Sequence, residues 1–273
     1  MELRGTVGIV TGASRGIGLY IAEALARKGT NLALAARSAE DLEVTAKQLG
    51  GFGIEVITVP TDVNKKTDLR NLVKRTTDEL GPIDLLVNNA GIEGMVPFGE
   101  MEIDHIEQIL NTNLVALELL TRLVVPGMVE RRRGHVANIA SMAGKSSVPF
   151  NTVYSSSKHG VVGFSWSLRA ELRAHNVGVS VVCPGFVSKA GMFTEWRTGD
   201  PPKLSQTVTP ESVANATIKA IEKNRAEILV IPGAGKVIDL VNAISPDLGS
   251  FFQRSGGLYK FLEKGATHSK TRR

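Results

Sequence analysis

A single cysteine, Cys183, among 273 residues rules out an internal disulfide and fits a reducing compartment. At the end of an apolar run it reads most simply as a small buried residue. No stretch rich in proline, glycine and serine interrupts the chain and no internal repeat is visible, so residues 1–273 are expected to form one domain of a size that α/β folds often reach. Strand-like sequence begins by Val7, too early for a charged leader followed by an apolar run. Nowhere do about 18 apolar residues run uninterrupted. The sequence therefore predicts no signal peptide, no spanning helix and a cytoplasmic location. Charge of one sign is also scarce over most of the chain. The net charge is +5, and Lys260, Lys264, Lys270, Arg272 and Arg273 against Glu263 place +4 of it in the last fourteen residues. A nearly neutral body gives no electrostatic reason to bind nucleic acid.

What the chain does contain is Tyr154-Ser-Ser-Ser-Lys158, inside a segment of helical periodicity from about Asn151 to His175. Residues four apart lie one above the other on a helix. A fixed ammonium beside a phenol favours the phenolate, so Lys158 is expected to lower the pKa of Tyr154 toward a working range. The bland alternative is an amphipathic helix with one surface lysine. What separates the two readings is whether a nucleotide site is built beside this helix.

Such a site has its parts in order. Thr6 to Val10 reads as a strand and runs into Thr11-Gly-Ala-Ser-Arg-Gly-Ile-Gly18, after which Leu19, Ile21, Ala22, Leu25 and Ala26 mark one helical face. Glycines allow a tight turn and a close approach, and the amide end of the new helix attracts phosphate. A second strand, Asn31 to Ala36, ends in Ala36-Arg37-Ser38. An acid near this point would bind the ribose 2′-hydroxyl of NAD, whereas arginine accommodates the 2′-phosphate of NADP. Arg37, with Arg15 in the glycine turn, therefore predicts NADP(H). Strands follow at Ile54 to Val59, leading to Asp62-Val63, and at Ile83 to Val87, ending in Asn88-Asn-Ala-Gly91. A long helix is predicted from Asp104 to Pro126. Asn111 and Asn113 in its middle suggest a hydrogen-bonding task or a local kink. His135 to Ile139 delivers Ser141 to a strand end, and Val177 to Val182 is followed by Cys183-Pro-Gly185.

Residues 186–208 have no clear period and read as a substrate loop or lid, with Phe186, Met192, Phe193 and Trp196 as an apolar lining. Thr209-Pro-Glu-Ser212 starts a helix that ends near Asn224, and a last strand runs from Ile228 to Ile231. Residues 236–262 form a C-terminal helical extension in this reading, with Val237, Ile238, Leu240, Val241 and Ile244 on one face, and 263–273 form a flexible basic tail. This end could cover the substrate pocket, pack on another subunit or lie on a membrane surface, with either of the first two preferred to the membrane.

Seven strands alternating with helices imply a Rossmann-type doubly wound parallel sheet with helices on both faces. Together these motifs resemble the short-chain dehydrogenase/reductase family, from the glycine turn at Thr11 to Pro184-Gly185. The resemblance implies hydride transfer between NADP(H) and a carbonyl or secondary alcohol of a small-molecule substrate. It also implies that Asn113, Ser141, Tyr154 and Lys158 are the catalytic set, with Tyr154 as general acid and Lys158 on the nicotinamide ribose. Asn113 would hold a water linking the lysine to solvent. The cofactor residues it implies are Gly12, Ser14, Arg15, Gly16, Ile17, Gly18, Arg37, Asp62, Val63, Asn89, Ala90, Gly91, Tyr154, Lys158, Pro184, Gly185 and Val187, with no metal and a homodimer or homotetramer. One position departs from the pattern. Where the family commonly has a threonine five residues past Pro184, this chain has Lys189, and Ser188 is the alternative contact to the nicotinamide carboxamide. A nucleotide-binding regulator without catalysis and a lipid-surface protein are the rival readings.

Overall fold

β1 (Val7–Thr11), β4 (Leu85–Asn88), β5 (Gly134–Ile139) and β6 (Val177–Pro184) are buried along their whole length, as parallel strands covered on both faces must be. With β2 (Asn31–Ala36), β3 (Val56–Pro60) and β7 (Glu227–Val230) they form a seven-stranded sheet. Its order is β3-β2-β1-β4-β5-β6-β7 and every pairing is parallel. The structure, a computed structural model, describes residues 1–189, 191–195, 201–202, 207–232 and 244–270.

Because strand side chains alternate in direction, the sheet sorts its own residues into two cores. Val10, Leu34, Leu85, Val87 and Val182 pack with α1 (Gly16–Arg27), α2 (Ala39–Leu49) and α7 (Pro210–Glu222). Ile9, Ala33, Leu86, Val136 and Val179 pack on the other face with α3 (Lys66–Leu80), α5 (Ala116–Glu130) and α6 (Thr152–Leu172). This is the Rossmann-type doubly wound architecture. The strand order reverses between β1 and β4, and in such sheets ligands bind in the crevice outside the carboxyl ends at that point.

The long helix expected from Asp104 to Pro126 is not continuous. α4 (Ile103–Leu110) passes into a π-helical turn, Asn111–Val115, before α5 begins. Such turns occur mostly as single insertions, frequently at functional sites. Pro126 does not end α5, which continues to Glu130. The whole run Ile103–Glu130 is long and apolar enough to cross a membrane by length and composition alone, so those two properties do not exclude a spanning helix. What assigns the run to the sheet is packing, since Leu120, Val124 and Met128 are buried in the core of that face.

After β6 the chain makes one parallel bridge between Val187 and Val208 and a 3-10 turn at Met192–Glu195. Trp196 and Gly199, part of the expected apolar loop, lie outside the described residues, as do Val237, Ile238, Leu240 and Val241 of the expected amphipathic face. The C-terminal segment forms α8 (Pro246–Ser255) and α9 (Leu258–Lys270). Residues expected to be a flexible tail from 263 onward therefore continue a helix to Lys270. The reason is packing, because Phe261, Leu262 and Ala266 are buried against Met95. Phe186, Phe193 and Phe261 gather into one aromatic cluster, with ring centroids 5.0 to 6.2 Å apart.

Candidate active site

The glycine turn joins β1 to α1 and lies beside the end of β4. Gly12 has φ +65, a left-handed backbone that other residues adopt at a cost. At Gly18 a β-carbon would stand 2.1 Å from the Gly12 carbonyl oxygen and 2.6 Å from Asn89 Nδ2, so no side chain fits. The cradle is braced by a residue that the sequence reading passed over. Thr11 Oγ1 accepts the backbone N–H of Asn89 at 3.0 Å and of Ala90 at 3.1 Å. Asn89 Nδ2 in turn donates to the carbonyls of Thr11 and Gly12 at 2.9 and 3.2 Å. Asn89 thus ties the two strand ends together. Ser14, Gly16 and Ile17 lie half-buried in the turn.

A second set of bonds locks the elements behind the crevice. Asn88 Nδ2 donates to Thr121 Oγ1 at 3.0 Å and to Asn138 Oδ1 at 2.9 Å, and Asn138 Nδ2 donates to Ser165 Oγ at 2.9 Å. All four residues are buried, and satisfied buried polar networks rigidify what they connect. Here they connect β4, β5, α5 and α6. Isolated asparagine and threonine residues carry no sequence signature of such a network.

Ser141, Tyr154 and Lys158 come from β5's end and from the first two turns of α6. Ser141 caps the 3-10 turn Met142–Gly144, its Oγ accepting from the Ala143 N–H at 3.1 Å. That turn lies directly on α6, since a β-carbon at Gly144 would stand 2.5 Å from the Lys158 carbonyl oxygen. The contact brings Ser141 within hydrogen-bonding reach of the Tyr154 hydroxyl. Lys158 Nζ lies 5.6 Å from the Tyr154 ring centroid and donates to the Ile139 carbonyl at 3.0 Å. Gly91 passes close by, where a β-carbon would be 3.7 Å from Lys158 Nζ and 3.2 Å from Asn113 Oδ1.

The electrostatics correct one expectation. Tyr154 keeps part of its side chain exposed, but its phenol end is desolvated, and that pushes its pKa up from the ordinary value of about 10. The negative charge of Glu93 pushes the same way, and the hydrogen bond with Ser141 opposes both. Lys158, whose ammonium donates to a backbone carbonyl, does not outweigh them. The lysine itself is 3% exposed, and desolvation lowers its pKa to about 8.

The Asn113 side chain is bonded to protein on both sides. Its Oδ1 accepts the Ile92 N–H at 2.8 Å, and its Nδ2 donates to the Ile92 carbonyl at 2.8 Å and to Ser157 Oγ at 3.0 Å. Both amide protons are committed to protein, so the side chain clamps the loop after β4 to α6. The bonding task offered by the sequence is realised within the π turn.

The remaining predicted residues surround the same sheet edge. Arg15 immediately precedes α1 and Arg37 follows β2; both are exposed. Among the described residues neither makes an ion pair. Asp62 and Val63 follow β3, with Asp62 Oδ1 accepting the Asn64 N–H at 3.1 Å. Pro184 ends β6, and the Gly185 N–H donates to the Val230 carbonyl at 3.0 Å. Val187 is buried. Ser188 Oγ donates to the Val208 carbonyl at 3.2 Å, so its proton is engaged. Lys189 is exposed with φ +62.

Comparison with known proteins follows the same pattern. The short chain dehydrogenase family model matches residues 6–201. The chain is 42% identical over 269 residues to ketoacyl reductase HetN of Nostoc sp., an alignment covering 97% of this chain and 93% of that protein. It is 32% identical to dehydrogenase/reductase SDR family member 7B of Xenopus tropicalis, covering 84% and 78% of the two chains. Among solved structures it resembles a variant of actinorhodin polyketide ketoreductase crystallised with NADPH. That match has a TM-score of 0.77 at 32% identity and covers 84% of this chain and 97% of the other.

Proposed function

The chain belongs to the short-chain dehydrogenase/reductase family, and from that premise we propose that it reduces the carbonyl of a ketoacyl-type substrate with NADPH, using Tyr154 as the acid. Membership makes it an NAD(P)H-dependent oxidoreductase. The observation that carries the finer reading is the convergence of Ser141, Tyr154 and Lys158 beside Gly91, at the carboxyl edge of the sheet next to a glycine cradle.

The residues of that edge fit a dinucleotide. Gly12 and Gly18 let the turn pack directly against Asn89 and Ala90, and the amide end of α1 that follows the turn suits a pyrophosphate. No acid stands at the end of β2 to bind a ribose 2′-hydroxyl. The exposed guanidiniums of Arg15 and Arg37 suit the 2′-phosphate of NADP instead. The nicotinamide of NADPH, when bound, supplies the hydride.

The chain's own residues manage the proton. As negative charge develops on the substrate oxygen, the Tyr154 hydroxyl donates its proton there and the Ser141 hydroxyl donates a hydrogen bond. At neutral pH the phenol is protonated and has a proton to donate. Lys158, below its pKa of about 8, is positively charged at neutral pH and stabilises the phenolate left behind. The aromatic cluster of Phe186, Phe193 and Phe261 offers an apolar wall for an acyl chain, and the names of the ketoacyl reductase relatives point to the same substrate class.

Tyr154→Phe tests this. NADPH oxidation driven by an acetoacetyl thioester is expected to fall by roughly 100-fold to 10,000-fold, the range for losing a general acid, while NADPH affinity stays within a few-fold of wild type. Turnover near the wild-type rate in the variant would overturn the assignment.

A further inference from the structure

The C-terminal helices meet the start of the catalytic helix across a cavity of about 290 Å3. Ser147 lines it from the loop before α6, Thr152 and Ser155 from the first turn of α6, Ser250 and Arg254 from α8, and Tyr259 from α9. The polar groups around it are uncommitted. Ser155 is buried and its Oγ has no hydrogen-bond partner, although leaving a buried hydroxyl unpaired is costly. Among the described residues the hydroxyls of Ser147, Thr152, Ser250 and Tyr259 bond to no protein group, and Arg254 makes no ion pair. The Arg254 guanidinium lies 5.6 Å from the Tyr259 ring centroid, a cation–π contact that orients it. None of the lining residues is acidic. Hydroxyls and one oriented guanidinium around a space without a carboxylate are a donor set for an oxyanion, and the planar fork of arginine suits phosphate.

The cavity borders the wall assigned above to the acyl chain. Val148, which also lines it, packs in one cluster with Phe150, Phe186, Phe193 and Phe261, and the rings of Phe150 and Tyr259 are 5.3 Å apart. Ser155 follows Tyr154 directly in α6. At about 290 Å3 the space is at the small end of ligand sites, which run from roughly 300 to 1,000 Å3, so it takes one end of a substrate and not the whole. A ketoacyl thioester has two ends. The acyl end is apolar, and the thiol arm on which such acyl groups are carried ends in a phosphate ester.

We propose that this cavity is an anion subsite of the reductase: Arg254 and the surrounding hydroxyls hold the phosphate ester of the substrate's thiol arm while the ketone lies at Tyr154. The inference rests on the reading of the chain as a ketoacyl-type reductase and names the end of the substrate that this reading leaves open. Arg254 is exposed, so the arm enters from solvent, past the C-terminal helices.

The test uses two acetoacetyl thioesters that differ by the phosphate alone, those of pantetheine and of 4′-phosphopantetheine. Full-length wild type should reduce the second with a kcat/KM higher by roughly tenfold or more, the size expected of charge-assisted bonds to one phosphate. Arg254→Gln keeps most of the stem and removes the charge; it should erase that advantage through KM, with kcat within about two-fold of wild type. Arg254→Lys should restore part of it. The pantetheine thioester should respond to neither substitution. Acetoacetyl-CoA and the same acyl group on a phosphopantetheine-bearing carrier protein, assayed in parallel, distinguish the two sources of this phosphate by which of them loses more in Arg254→Gln. Equal kcat/KM for the two small thioesters in wild type, or an equal loss for both in Arg254→Gln, would overturn the proposal. Ser250→Leu narrows the cavity from α8 with every charge kept. It should raise KM for the phosphorylated thioester alone, and an unchanged KM would equally overturn the assignment. A wild-type protein that reduces neither thioester would instead remove the ketoacyl reading itself.

Discussion

Lys158→Met keeps most of the apolar stem and removes the charge from one of the most deeply buried lysines a fold can hold. Wild-type Lys158 is 3% exposed, and desolvation takes its pKa from 10.5 to about 8. That difference corresponds to about 3 kcal/mol of stability at about 1.4 kcal/mol per pKa unit. The sign follows from proton counting. Between about pH 8 and 10.5 the unfolded chain binds a proton that the folded chain lacks, so wild-type stability rises with pH across this window. Below it the penalty of burying the ammonium is fully present. Methionine abolishes the penalty but strands the Ile139 carbonyl, which now accepts from Nζ at 3.0 Å, at a cost of about 1–3 kcal/mol. The two terms offset near neutrality, so the pH dependence of the difference is the cleaner readout. Denaturant unfolding of both proteins, without added cofactor, should show wild type gaining about 3 kcal/mol on Lys158→Met from about pH 7 to about pH 10.5. Loss of turnover should accompany the substitution. Stability curves that run parallel over this range would refute the claim that the lysine is held charged against its desolvation.

Gly18→Ala places a β-carbon against the Gly12 carbonyl oxygen and Asn89, where the backbone has little room to yield. Calorimetric titration should show at least a roughly tenfold loss of NADPH affinity, with destabilisation of about 1–3 kcal/mol. Wild-type affinity would mean that the cofactor does not approach this turn. For Arg37→Ala, the ratio of kcat/KM with NADPH to that with NADH should fall by roughly tenfold or more, as expected for a lost guanidinium–phosphate contact; an unchanged ratio would remove Arg37 from the site. Leu262→Ala, at a fully buried position of α9, should cost about 2–5 kcal/mol in a denaturant or thermal melt. A neutral result would show that α9 contributes nothing to the folded body.

Read from residues alone, the chain already specifies the alternation of strand and helix, the glycine turn and the Tyr154–Lys158 pair. Each of these is a local pattern. Apolar runs such as Val177 to Val182 mark strands buried on both faces, and spacing by four sets two side chains on one helical face whatever surrounds the helix. Strand ends moved by one or two residues, as for β3 and β4, because local periodicity blurs where hydrogen-bonded pairing stops. Tertiary structure decided the rest. The break at Asn111–Val115, the clamp of Asn113 on Ile92 and the burial of α9 under Met95 depend on residues far apart in sequence. So does the direction in which Tyr154 titrates. Adjacency on the helix argued for a lowered phenol pKa, yet desolvation by surrounding elements and the charge of Glu93 outweigh it. Desolvation is a property of everything packed around a group, and no spacing along the chain encodes it.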